Sequence, residues 1–287
     1  MASFKAADGT DLYEELWPAE GEARGALVLV HGYGEHIGRY NEAARAWAKQ
    51  GWQVRGADLR GHGRSGGVRG FCSRFDEYLS DLAALVARAR TDSASGRPLF
   101  LLGHSFGGLI ATSFALGHSR ELTGLVLSSP YFKLKLEVPK AKVVAGRLMS
   151  RIYPKLALPS GLKGEDVARD AEIARAYDAD PLNNKNATAR WFTEASAAQE
   201  SAYARAGELT LPCLFLHGGS DRVADPRRTE ELFKKVSSSD KTLDILPGQF
   251  HEILNEPKET REKTIARIGE WLSSHAEGAS KLRAGGS

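Results

Sequence analysis

PLFLLGHSFGGLIATSFALG, residues 98–117, joins an unbroken apolar run, a turn crowded with glycine and a second apolar run of helical composition. A run such as PLFLLG, with no polar alternation, suits a strand buried on both faces of a parallel sheet. LIATSFALG after the turn reads as a short buried helix. Gly103, Gly107 and Gly108 remove the side chains that would collide in so tight a reversal. The stretch therefore predicts a strand, a sharp turn carrying Ser105 at its apex, and a helix.

The same grammar extends in both directions. Further apolar runs of strand length stand at 26–31, 52–58, 122–129, 211–218 and 241–246. Residues 3–17 read as two short strands around Asp8-Gly9, a pair that favours a tight hairpin, so an antiparallel edge is expected. Between the strands, residues 39–50 form a helical pattern stopped by Gly51. Residues 75–90 place Phe75, Tyr78, Leu79, Leu82, Leu85, Val86 and Ala89 on one helical face, with Ser73 and Asp76 spaced as a capping box. Residues 256–272 form an amphipathic C-terminal helix. Alternating strands and helices predict an α/β fold with a mostly parallel, doubly wound sheet. The alternation fails between 131 and 208, where the chain looks helical with no convincing strand. The expected organisation is a core of residues 1–130 and 209–274, an inserted helical cap over 131–208, and a small polar, disordered tail over 275–287.

The 287 residues suffice for one large domain with an insertion. With 39 basic and 36 acidic residues and no cationic run, the composition argues against a nucleic-acid partner. No N-terminal segment has a signal-peptide core and no 18-residue apolar stretch occurs, which predicts an intracellular, cytoplasmic protein. The two cysteines, Cys72 and Cys213, could form one disulfide at most, and Cys213 lies in an apolar strand, where a buried thiol is expected.

Two serines fill a GxSxG pattern, Ser105 in GHSFGG and Ser65 in RGHGRSGG, and the pattern alone is weak in a chain with 30 glycines. A nucleophilic serine on a strained elbow needs a strand before it and a helix after it. Ser105 has both. Ser65 is followed by Gly66, Gly67 and Gly70, where a helix could begin only against a heavy propensity cost. The serine requires a histidine base held by a carboxylate, in the chain order Ser, acid, His. Among eight histidines, His251 alone lies on a loop just after the last strand. Past the preceding strand stand Asp221 and Asp225; Asp225 precedes Pro226 and a helix and is better read as an N-cap, which leaves Asp221 as the acid. Acyl transfer also needs N–H donors for an oxyanion. They are expected on Phe106, after the nucleophile, and on Tyr33 in the loop HGYGEHIGRY, which resembles the HG-rich oxyanion loops of lipases.

HGYGEHIGRY (31–40), DLRGHGRSGG (58–67), GHSFGG (103–108), DADPL (178–182), GGSDRVADP (218–226) and FHEILNEP (250–257), in this order, resemble the monoacylglycerol lipases, also called lysophospholipases, of the α/β-hydrolase fold. The match spans roughly residues 4–274. The resemblance implies hydrolysis of a monoglyceride, a small lipid ester, to glycerol and a fatty acid, with no metal or organic cofactor. It implies that Ser105 is the nucleophile and that RGHGRS is structural. It also brings Glu35, Arg39, His104 and Tyr177 near the polar head of the substrate. For Glu35 and Arg39 the alternative is a salt bridge that fixes the oxyanion loop; for His104 it is a packing role at the elbow. Phe106 stands where many members carry methionine, and the cap departs most from the family pattern, so head-group and acyl preference are the least determined features.

A general carboxylesterase or lysophospholipase remains the nearest competing function, and a non-catalytic ligand-binding protein on the same fold a remote one. Dehalogenase and epoxide-hydrolase chemistry is disfavoured, because the elbow carries serine rather than aspartate. Within the cap, AKVVAGRLMSRIYPKLAL places Val144, Leu148 and Ile152 on one face, with Lys140, Lys142, Arg147, Arg151 and Lys155 largely elsewhere. Such a helix can lie on an anionic bilayer or simply cover its own core or acyl groove.

Overall fold

The computed structural model describes residues 2–92, 96–135 and 140–284, the side chains of 140, 142 and 278–284 excepted. Strands β1 (Ala2–Lys5) and β2 (Asp11–Trp17) form the expected antiparallel hairpin, turning at Gly9 with φ of 85°. Each apolar run of the sequence is a strand: β3 (Gly25–Val30), β4 (Trp52–Ala57), β5 (Leu99–His104), β6 (Gly124–Ser128), β9 (Cys213–Gly218) and β10 (Lys241–Leu246). They assemble into one eight-stranded sheet of order β1-β2-β4-β3-β5-β6-β9-β10. Every pairing from β4 onward is parallel, and β2 runs antiparallel to both of its neighbours.

Helices cover both faces, which is why the central strands carry apolar side chains on each side. On one face α2 (Asp76–Asp92), α3 (Phe106–His118) and α8 (Pro226–Lys235) bury Tyr78, Leu82, Phe106, Leu109, Phe114 and Leu232 against the sheet. On the other, α1 (Asn41–Lys49) and α9 (Lys258–Ala284) contribute Trp47, Ile265, Ile268, Trp271 and Leu272. Helix α1 stops at Gly51, whose φ of 88° is a left-handed conformation that glycine adopts without strain. Cys72 and Cys213 are both free and buried, and burial pushes each thiol up to about 12. Among the described residues no helix is long and apolar enough to cross a membrane.

Between β6 and β9 the chain leaves the sheet. It forms α4 (Lys140–Ile152), β7 (Ala157–Pro159), α5 (Gly164–Val167), α6 (Ala171–Ala179), β8 (Asn186–Thr188) and α7 (Ala189–Arg205). Here the sequence reading needs correction, since β7 and β8 pair as a short antiparallel ribbon. Three-residue strands are too short to show any hydrophobic period.

Three further expectations change. The Ser73–Asp76 capping box does not form: Phe75 N–H donates instead to Glu194 Oε2 of α7 at 3.0 Å, and Ser73 N–H to Glu77 Oε2 at 3.1 Å. Strand β10 is half-buried throughout rather than covered on both faces, because it is the sheet edge. The expected disordered tail is helical through Ala284, with residues 285–287 outside the described set. Its residues 275–284, HAEGASKLRA, include Ala, Glu, Lys, Leu and Arg, all good helix formers. The extension is also tied down at its base, where the His275 ring stacks on Trp271 at 4.0 Å and meets Asp240 at 3.0 Å.

The most constrained point of the fold is the turn after β5. A Cβ on Gly103 would lie 2.3 Å from the Gly107 carbonyl oxygen, a distance that side-chain carbons do not tolerate. Gly103→Ala should therefore destabilise the fold by about 1–3 kcal/mol and lower Tm by roughly 2–6 °C in a thermal melt. An unchanged Tm would show that the elbow can open without cost.

Candidate active site

Ser105 separates β5 from α3 with φ 51° and ψ −117°, a strained combination for a residue with a side chain. The strain is held by the backbone around it. Ser105 N–H donates to Ser128 O at 2.9 Å, and Ser105 O accepts from Tyr131 N–H at 2.9 Å. The next strand end is also unusual, with Ser129 at φ 42°. The result lifts the Ser105 hydroxyl above the C-terminal edge of the sheet.

The structure brings the three expected residues into one hydrogen-bonded line. His251 Nε2 lies 2.8 Å from Ser105 Oγ, and His251 Nδ1 lies 2.7 Å from Asp221 Oδ2. Asp221 Oδ1 accepts the Val223 and Ala224 N–H groups at 2.7 and 2.9 Å. Asp225 caps α8, its carboxylate accepting Arg227 N–H at 3.2 Å ahead of Pro226. The loop carrying His251 is fixed by the fully buried Glu256, which accepts Phe250 N–H at 2.6 Å and pairs with Arg169.

Burial alone would raise the Asp221 pKa, but His251 and His217 beside it hold the carboxyl well below its ordinary range. Burial alone would lower the pKa of His251, yet the Asp221 carboxylate outweighs it and raises the imidazole above its ordinary value. His104 is different. Its ring lies 4.9 Å from that of His251 and its Nδ1 meets Ser128 Oγ at 3.0 Å; burial, then repulsion from His251, lowers it to about 3, so it is neutral.

Ser65 is locked away from this line. Its hydroxyl donates to Asp58 O at 2.5 Å and accepts Tyr13 N–H at 2.9 Å. The RGHGRS loop serves as a brace: His31 Nε2 accepts Leu59 N–H at 2.8 Å, and the His62 ring stands 5.0 Å from Tyr33, edge to face.

Tyr33 and Phe106 line the same cavity as Ser105, their rings 6.0 Å apart. Phe106 opens α3, so its N–H is among those a helix start leaves without an intrahelical acceptor. Glu35 Oε1 accepts Gly32 N–H at 2.6 Å and Tyr40 O–H at 2.7 Å, while its Oε2 meets Arg39 Nε at 3.2 Å. Glu35 thus fixes the loop after β3 and also lines the cavity. The Arg39 guanidinium lies 4.9 Å over the Tyr177 ring and pairs with Glu252, a residue the sequence reading missed. Glu252 follows His251 directly, and that adjacency is the signal that could have singled it out. Burial pushes the Tyr177 hydroxyl well above its usual range, with Glu252 and Glu35 adding to the shift.

The cavity above Ser105 measures about 540 Å³. Glu35, Glu252, His104 and Tyr177 give it polar surface, and Leu134, Met149, Leu156, Leu162, Val167 and Phe192 supply apolar lining. An activated hydroxyl beneath a largely apolar, cap-roofed chamber can form and release an acyl ester.

The chain is similar to known proteins along most of its length. Residues 21–258 match the family described as serine aminopeptidase, S33. The monoacylglycerol lipase of Mycolicibacterium smegmatis is 32% identical over 274 residues, covering 95% of this chain and 96% of that protein. The human monoglyceride lipase is 33% identical over 272 residues, covering 93% and 88% respectively. The crystal structure of the Paleococcus ferrophilus monoacylglycerol lipase superposes with a TM-score of 0.84 at 31% identity, covering 92% of this chain and 99% of that one. By the span of these matches and the sheet that carries its site, the chain belongs to the serine aminopeptidase S33 family of α/β-hydrolases.

Proposed function

We propose that the protein hydrolyses monoacylglycerols to glycerol and a fatty acid through a Ser105-His251-Asp221 triad, without a metal or organic cofactor. The reading is carried by one observation: a strained, base-paired serine at the floor of a cavity that joins a small polar corner to an apolar chamber. Relatives named for this activity, at 32–33% identity across nearly the whole chain, support it.

In this mechanism His251 Nε2 takes the Ser105 proton as Oγ attacks the ester carbonyl. Asp221 holds Nδ1–H, fixing the tautomer and stabilising the imidazolium. The N–H groups of Phe106 and Tyr33 receive the developing oxyanion, where one such donor is worth about 100-fold to 1000-fold in rate. His251 then protonates the leaving glycerol, and water resolves the acyl-enzyme. Glu35, Glu252 and Tyr177 supply the polar corner for the glycerol hydroxyls, with Arg39 holding both carboxylates in place. Residues 131–208 act as the lid that shapes the acyl chamber.

A second reading concerns the outer face of that lid. Val144, Leu148 and Ile152 of α4 are 65%, 53% and 67% exposed, followed in the chain by exposed Tyr153, while Ala145, Gly146 and Met149 face the cavity. The apolar stripe read from the sequence therefore does not cover the acyl groove. Arg147, Arg151 and Lys155 are exposed beside it; the side chains of Lys140 and Lys142 lie outside the described set. An exposed apolar stripe flanked by cations fits transient contact with an anionic membrane surface, the source of the lipid substrate.

Fatty-acid release from 1-monoacylglycerols of increasing chain length should rise by up to nearly fourfold per methylene until the chamber is full. Ser105→Ala should abolish it and Ser65→Ala leave a turnover-competent enzyme; activity confined to short aryl esters would replace the reading with a general carboxylesterase. Because the base acts only when neutral and Asp221 raises its pKa, kcat/KM should fall on acidification with a midpoint above about 6.5, the ordinary histidine value. A profile flat down to pH 4 would exclude a histidine base. Co-sedimentation with anionic vesicles should be strong for the wild type and largely lost in Leu148→Ser/Ile152→Ser, with hydrolysis of a soluble aryl ester unchanged; equal binding by both proteins would remove the membrane reading.

A further inference from the structure

His217, next to last in β9, is fully buried, and the reaction above gives it no task. Its Nδ1 lies 2.9 Å from Thr229 Oγ1 on α8, and its Nε2 lies 3.0 Å from Asp221 Oδ2, with neither side chain of that pair exposed. The same carboxylate oxygen meets His251 Nδ1 at 2.7 Å. With Val223 and Ala224 N–H on Oδ1, the aspartate is surrounded by four nitrogen atoms, two from backbone and two from imidazoles.

The chemistry of the pair selects one tautomer. A threonine hydroxyl can donate to Nδ1, which leaves the ring hydrogen on Nε2, beside the carboxylate; the reverse tautomer would aim a lone pair at a negative charge. That Nε2–H has no aligned hydrogen-bond partner among the described residues, although Oδ2 is at contact distance. Its dipole is therefore felt by Oδ2 at close range.

We propose that His217 is a positioning residue for the reaction: its Nε2–H, held against the Asp221 oxygen that also meets His251, limits how strongly the carboxylate pulls on the catalytic imidazole. The inference rests on the Ser105-His251-Asp221 reading of the preceding subsection. A carboxylate oxygen that stabilises its charge on a second donor is a weaker base, and it holds an imidazolium less tightly. His251 is thereby kept neutral closer to physiological pH, and Asp221 is prevented from turning with the ring as the proton moves.

Other groups face this cluster and stay constant in the test. From the elbow there is neutral His104; from the oxyanion loop Glu35, and beside His251 Glu252, both paired with Arg39; the loop after β9 contributes Arg222, over the Phe250 ring at 4.1 Å, and α8 the Thr229 hydroxyl. A shift of the pH profile on changing residue 217 alone is therefore assigned to the second imidazole.

The test is the pH dependence of kcat and KM on a soluble aryl ester for the wild type, His217→Leu, His217→Asn and His217→Gln, with Asp221→Asn alongside. Glutamine carries an amide N–H to about the place of Nε2; asparagine is too short and leucine has no donor. The expected result is an acid limb moved upward by roughly half a pH unit or more in the Leu and Asn variants. Their kcat should fall about tenfold, as for loss of a donor to a charged group, with KM unchanged and the wild-type limb retained by Gln. Leu and Asn variants with the wild-type limb would overturn the proposal, and so would a Gln variant as perturbed as Leu, since packing rather than the donor would then be at work. If thermal melts show that the Leu variant does not fold, Asn against Gln decides. Full activity in Asp221→Asn would be a different failure, that of the triad reading itself, and the role of His217 would fall with it.

Discussion

The site depends on how closely the elbow backbone approaches the strand beside it. A Cβ on Gly107 would stand 2.2 Å from Val30 O and 2.4 Å from His31 O. This contact joins the first turn of α3 to the end of β3, where the loop carrying Tyr33 departs. Ser105 and Tyr33 belong to different segments of the chain, and this side-chain-free interface sets the distance between them. Strain at Ser105, of order 1–3 kcal/mol for such a backbone conformation, persists because the parallel pairing of β5 with β3 and β6 leaves the turn nowhere else to go.

Around that rigid junction the charges are arranged in closed sets. Glu35 is 2% exposed and Glu252 3%, and both pair with Arg39, so two buried carboxylates share one guanidinium. Such a cluster adds little to stability, because desolvation offsets most of the attraction. Its geometry explains it better. Glu35 holds Gly32 N–H and Tyr40 O–H, which shapes the loop carrying Tyr33, and Glu252 follows His251 directly in the chain. The salt bridge thus ties the loop after β3 to the loop carrying His251, across 213 positions of sequence.

That separation explains what could be read in advance. Strands β3, β5, β6 and β9, the elbow at Ser105 and the loop positions of Asp221 and His251 are written in local patterns: apolar runs, glycine spacing and chain order. Their convergence to 2.7 and 2.8 Å needed only the parallel topology. Glu252 gave no local sign of Arg39, and His217 gave none of Asp221, because those partnerships exist only once strands from distant parts of the chain lie side by side. The Ser73–Asp76 capping box failed for a related reason: a carboxylate from the lid, Glu194, reached the helix start first. The two-stranded ribbon was invisible because six residues carry no period, and the helical end of α9 because polar composition describes an exposed helix as well as a tail.

The lid, finally, is not an independent cover. Tyr33 O–H donates to Asn186 O of β8 at 2.7 Å, Asn184 N–H donates to Gly34 O at 2.8 Å, and the Trp191 ring lies 3.7 Å from that of Tyr33. Trp191 also packs at 5.2 Å against Phe106, the other residue whose backbone faces the developing oxyanion in the proposed mechanism. One lid segment therefore lines the cavity and also fixes the loop that carries Tyr33. In the proposed mechanism, changes in this part of the lid would act on the transition state as well as on the bound ester, because Tyr33 is held by the same residues that line the cavity.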